Sequence, residues 1–137
     1  MGRELAIALI WLAACGGGDA QRRELVDDGE VCLRLQASGT LQVDVVFHHC
    51  LNSCDIAQPV SCNVSKEETD GGAVVVRVAS RGVVETTGAS VCSPDCGKLR
   101  AACTSTDTFA PGKHSLVHGE DTAEILLGAH QQCFFRE

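Results

Sequence analysis

Nine cysteines in 137 residues, beside four Phe, one Trp and no Tyr, constrain this chain more than any other feature. A chain of this length forms one domain. Its interior has to be assembled mainly from Val and Leu, because large rings are scarce. Such a core is modest, and sulfur cross-links are the usual supplement where the compartment is oxidising.

The polar–apolar pattern has a period of two. Leu41, Val43, Val45 and Phe47 alternate with Gln42, Asp44 and His48, which predicts a half-buried strand. Val31 to Gln36 alternates more weakly. Residues 73–80 form a Val-rich run opened by Asp70-Gly71-Gly72, and Gly82 divides it from residues 83–87, which predicts a hairpin. Pro111-Gly112 turns the chain into His114–His118, and two further short strands, residues 123–127 and 131–135, flank Gly128. No segment carries a helical stripe. The fold class read from this pattern is all-β, a small disulfide-stapled β-sandwich, with a small open β-barrel as the alternative.

Two cysteine triplets resemble one another. Cys50, Cys54 and Cys62 follow one strand, Cys92, Cys96 and Cys103 follow another, and the offset is about 42 residues. With Cys32 and Cys133 these make eight cysteines available for disulfides. Eight allow on the order of a hundred pairings, and the sequence leaves the choice open. The expectation adopted is one local bond per triplet, Cys54–Cys62 and Cys96–Cys103, with Cys32–Cys133 joining the first and last strands.

The ninth cysteine is Cys15. Before it stand Arg3, an apolar run from Leu5 to Leu12, and the small residues Ala13 and Ala14; Gly16-Gly17-Gly18-Asp19 follows. The apolar run falls within the ~7–15 residues of a signal h-region and well short of the ~20 that span a bilayer. Leu12-Ala13-Ala14-Cys15 resembles the lipobox of bacterial lipoproteins, a likeness confined to the first 15 residues. The resemblance implies cleavage before Cys15, a covalent lipid on its sulfur and no other cofactor. It also implies a place in the cell envelope, with the outer membrane favoured because Gly16, not Asp, follows the cysteine. The domain plan is a signal at 1–14, a lipidated cysteine and flexible linker at 15–30, and a cysteine-rich β domain at 31–137. A short helix over residues 20–26 is a further option within that linker, with little for it to pack against.

Net charge is −7 and remains so after cleavage, because Arg3 and Glu4 cancel. An acidic protein with few aromatic faces is repelled by phosphate backbones, so nucleic acid is an unsuitable partner. No Gly-x-Ser-x-Gly, phosphate-cradling glycine loop or Cys-x-x-Cys is present. The expectation is therefore a non-catalytic binding or structural module, held to a membrane by lipid and facing a protein partner. The alternative is copper or zinc held by His48, His49, His114 and His118. On a strand, His114 and His118 share a face but lie roughly 13 Å apart.

Overall fold

The computed structural model describes residues 20–88 and 91–137. The expected signal and Cys15 lie outside the described residues. Ten strands are described: β1 (Gln21–Val26), β2 (Glu30–Leu35), β3 (Thr40–Leu51), β4 (Asp55–Ala57), β5 (Ser61–Glu68), β6 (Val74–Thr86), β7 (Gly97–Thr108), β8 (Gly112–His118), β9 (Asp121–Leu127) and β10 (Gln132–Phe134). They form two sheets, not closed into a barrel, with the core between them: a disulfide-stapled β-sandwich.

Sheet I is organised around β6. Both β5 and β8 pair with the first half of β6, so they occupy opposite edges; β4 and β1 do the same along its second half. The pairing with β8 is parallel, and β9 completes the sheet beyond it. Sheet II runs β10-β2-β3-β7, antiparallel throughout. The alternation in β3 sends Leu41, Val43, Val45 and Phe47 inward, each 0% exposed. They meet Val76, Val78 and Val84 of β6, Leu116 of β8 and Ile125 of β9 in one cluster.

Three segments depart from the expectations. Residues 21–30, assigned to a linker, carry β1 and the start of β2. Only Leu25 of β1 is buried. Its order comes from the backbone ladder to β6, which hydropathy does not register. Gly82 is not a hairpin turn either: β6 passes straight through it, and the residue pairs with Leu25. A Cβ at Gly82 would lie 2.8 Å from Leu99 Cδ2, so the glycine makes room for the facing sheet. The third departure is β5 and β7, segments for which the polar–apolar pattern predicted no strand and which form long edge strands.

The disulfides are Cys32–Cys133, Cys50–Cys96, Cys54–Cys92 and Cys62–Cys103. Cys32–Cys133 joins directly opposed residues of β2 and β10, as expected. The local bonds Cys54–Cys62 and Cys96–Cys103 do not occur; each triplet is bonded entirely to the other. The topology gives the reason. The chain crosses from sheet II to sheet I between β3 and β5, and back between β6 and β7. These two crossovers lie together at one end of the sandwich, where Cys50–Cys96 and Cys54–Cys92 zip them antiparallel. Cys62–Cys103 then ties the β5 edge of one sheet to the β7 edge of the other. Lys66 supports that seam, donating from its backbone N to Asp107 at 3.1 Å and from Nζ to the Thr108 carbonyl at 3.3 Å.

The opposite seam uses hydrogen bonds alone: Leu35 N donates to the Gly128 carbonyl at 2.9 Å, and Gln132 Nε2 to the Leu126 carbonyl at 2.8 Å. Between β1 and β2 the chain changes sheets through Asp27, Asp28 and Gly29 alone. Gly29 has φ +141°, and a Cβ there would come 2.4 Å from the Val46 carbonyl oxygen. Any side chain at this position collides with backbone.

Non-reducing peptide mapping should recover the Cys54–Cys92 and Cys62–Cys103 peptides; a Cys54–Cys62 peptide would contradict this topology. Removing Cys62–Cys103 with paired Cys→Ala substitutions should lower the free energy of unfolding by about 4 kcal/mol for a loop of this length, read from the urea midpoint. Gly29→Ala should fail to reach the native state, read from loss of the oxidised, protease-resistant form.

Candidate functional site

The densest polar cluster lies where the Asp27–Gly29 turn bridges the sheets, beneath the last residues of the chain. Asp27, at φ 47°, donates from its N to the Ser80 carbonyl at 2.9 Å and accepts the Ser80 N–H on Oδ1 at 2.7 Å. Ser80 Oγ lies 2.9 Å from Nε2 of His118, and Asp27 Oδ1 is 3.9 Å from that same nitrogen. Ser80 and His118 face inward from β6 and β8, so strand alternation places both in the core, 4% and 1% exposed. The His118 ring stacks on Phe135 with centroids 6.3 Å apart.

The three residue types invite comparison with a nucleophile–base–acid relay. The geometry differs from one. In a relay the acid orients the base through the nitrogen that the nucleophile does not use. Here both partners approach Nε2, and Nδ1 is buried without a hydrogen-bond partner. The Ser80–His118 contact is itself buried, at 4% and 1% exposure. The cluster acts as an internal tie between the β1–β2 turn, β6 and β8. Desolvation holds the His118 pKa below the usual imidazole range, against the opposing pull of Asp27, Asp121 and Asp28.

Each expected histidine has its own surroundings. His48 sits in a β3 bulge, where the three residues between Val46 and Cys50 face the single residue Leu99 of β7. Its Nδ1 is 3.0 Å from Asp28 Oδ1, and its Nε2 donates to the Phe135 carbonyl at 3.1 Å. His49, its neighbour, points elsewhere, with Nε2 3.6 Å from Asp55 Oδ2. The Asp55 carboxyl is held below the usual range chiefly by the Asn52 backbone N–H, then by the Thr86 hydroxyl. His114 bonds the Ala110 carbonyl at 2.8 Å beside Phe109, at the other end of β8 from His118. The strand spacing therefore separates that pair as the sequence implied.

Among the described residues, the one convergence of three potential metal ligands is Glu30, Cys32 and Cys133. Its two sulfurs are bonded to each other, which removes the thiolates a metal would need. The fold brings no set of His48, His49, His114 and His118 together there. All eight cysteines expected in disulfides, Cys32, Cys50, Cys54, Cys62, Cys92, Cys96, Cys103 and Cys133, are in them.

A cleft of about 460 Å³ opens on the outer face of sheet II. Glu30, Asp44, His48, Lys98, Arg100 and Arg136 line it. Its charges are partly neutralised internally: Arg136 pairs with Glu30 at 2.7 Å, and Lys98 donates to the His48 carbonyl at 3.1 Å. Sequence reasoning singled out only His48 of this group. Glu30, Asp44, Lys98 and Arg100 are ordinary strand residues aligned by sheet II, and Arg136 follows β10. Comparison with models of protein families, with curated proteins and with solved structures gives no match.

The His118 ring is neutral in the native state and takes up a proton more readily when exposed. Stability contributed by burying it is complete above the unfolded imidazole pKa of about 6.5 and declines as pH falls below it, by at most ~1.4 kcal/mol per pH unit. Urea midpoints measured from pH 7.5 to 5.5 should show wild type losing stability faster than His118→Gln. Parallel curves would refute the buried neutral ring.

Proposed function

We propose that this chain is an exported lipoprotein whose disulfide-rich β domain serves as a non-catalytic binding or structural module of the cell envelope. The observation that carries this reading is cysteine arithmetic. The domain uses eight of the nine cysteines in four disulfides, and the cysteine these bonds leave out is Cys15, at the end of Leu12-Ala13-Ala14-Cys15. Four disulfides suit an oxidising compartment, which a chain reaches by export.

In this reading Leu5 to Leu12 directs export, cleavage frees Cys15, and its acyl chains hold the protein at the membrane, with the outer membrane favoured by Gly16. Two or more acyl chains make such an anchor stable, where one is marginal. The binding role is supported by the open cleft on sheet II, whose paired charges and exposed rim suit polar protein contact. The serine–histidine contact, by comparison, is closed to solvent.

Intact mass of the purified protein should show loss of residues 1–14 and a gain of diacylglyceryl and acyl mass, with no free thiol before reduction. Cys15→Ser protein freed of residues 1–14 should yield the same folded domain in the aqueous phase on detergent partitioning, where wild type enters the detergent phase. An unprocessed wild-type chain, or such a Cys15→Ser protein that still enters detergent, would overturn the anchor.

A further inference from the structure

We infer that the disulfide-zipped end of the sandwich rests on the bilayer, so that its crossovers form a lipid-contacting face. The inference builds on the lipid anchor at Cys15 and specifies how that anchor orients the domain. Because β1 begins at Gln21, only residues 16–20 separate it from Cys15. That stretch reaches at most about 21 Å when extended. Gln21 pairs with Thr86, the last residue of β6, and Asp55 of β4 pairs with the same residue from the other side. The anchor therefore enters at the crossover end.

The opposite end lies one β6 length away, roughly 40 Å for this 13-residue strand. There the Thr69–Ala73 turn closes the β5–β6 hairpin. If that end met the bilayer, Gln21 would stand about twice as far from the surface as its tether extends. A short tether permits only an end-on or a side-on pose.

The surface chemistry favours end-on. The outer face of sheet I is crossed by three exposed ion pairs, Arg22–Glu85, Arg81–Glu24 and Arg77–Glu67. Lying on lipid would strip water from all of them. The crossover end instead presents Val91, 85% exposed, and Ile56, 51% exposed, on either flank of Cys54–Cys92. Both positions are held firmly. The Val91 segment is fixed by that disulfide and by Ser93 N donating to Ser53 Oγ at 2.7 Å. The β4 segment is fixed by the Asp55 carboxyl, which accepts from Asn52 N and Thr86 Oγ1. Arg23, exposed in β1 next to the tether, is placed to meet lipid phosphates. Apolar side chains on a rigid rim, with a cation beside them, suit the headgroup–acyl boundary.

The test uses the scarcity of rings in this chain. With Trp11 removed in the signal, the processed protein holds no Trp or Tyr, so a single introduced Trp reports alone. Lipidated V91W, I56W, L126W and D70W proteins would be placed in phosphatidylethanolamine/phosphatidylglycerol vesicles carrying brominated acyl chains. V91W and I56W should each shift to the blue and lose more than about half of their emission, while L126W and D70W remain unquenched. Vesicle-bound V91W and I56W without quenching, or L126W quenched as strongly as they are, would overturn the orientation and leave the anchor standing. Intact mass of the same samples reads the anchor separately: a chain lacking acyl mass would overturn both.

Discussion

The bonds between the two crossovers determine how this sandwich holds together. A β-sandwich whose core is made of Val and Leu has little aromatic surface with which to lock one sheet on the other. Here the places where the chain changes sheets are joined covalently, by Cys50–Cys96 and Cys54–Cys92, and the adjoining edges by Cys62–Cys103. Cross-links between distant segments restrict the unfolded chain most. Pairing within a triplet would have closed short loops and left the sheets free to separate at that end.

This explains why the cysteine pattern was visible in the sequence while its meaning was not. The similar spacing of the triplets goes with two segments that lie antiparallel, joined Cys50–Cys96 and Cys54–Cys92. Spacing along one chain says nothing about antiparallel apposition of two of its segments. Elsewhere legibility followed burial. β3 alternates clearly because one of its faces is entirely covered. β1 was hidden because Leu25 is its one buried side chain, the rest joining the sheet through backbone and exposed ion pairs. β5 and β7 were hidden because they are edge strands with small or polar residues turned inward, such as Ser105, whose hydroxyl accepts the Leu41 N–H at 2.8 Å. The polar cluster was legible only as single residues. His118 and Ser80 lie on strands joined in parallel through a crossover, a relation that period-two patterning does not encode.

The buried cluster and the disulfides divide the molecule between two kinds of fastening. At the β1–β2 turn and the chain's last residues, the sheets are joined by Asp27, Ser80, His118, His48 and the Phe135 carbonyl, all through hydrogen bonds or ring contact. Of these groups, His118 is the one whose burial disfavours the charged ring, so acid weakens this region through it. The crossover disulfides open only to a reductant.

That difference bears on what a tethered domain of this kind can do. Under the proposed anchor at Cys15, a domain hung on five residues would not turn freely, and its anchored end would lie in the zone where headgroups, protons and ions are most variable. The disulfides at that end would hold regardless of those fluctuations. The cleft of sheet II, with Glu30 and Arg136 on its rim, is then presented to the side of a rigid stem rather than on a swinging one. If the proposed anchor and a partner in the same envelope both hold, a fixed orientation would lower the entropic cost of each encounter, which affinity for the isolated domain does not reveal.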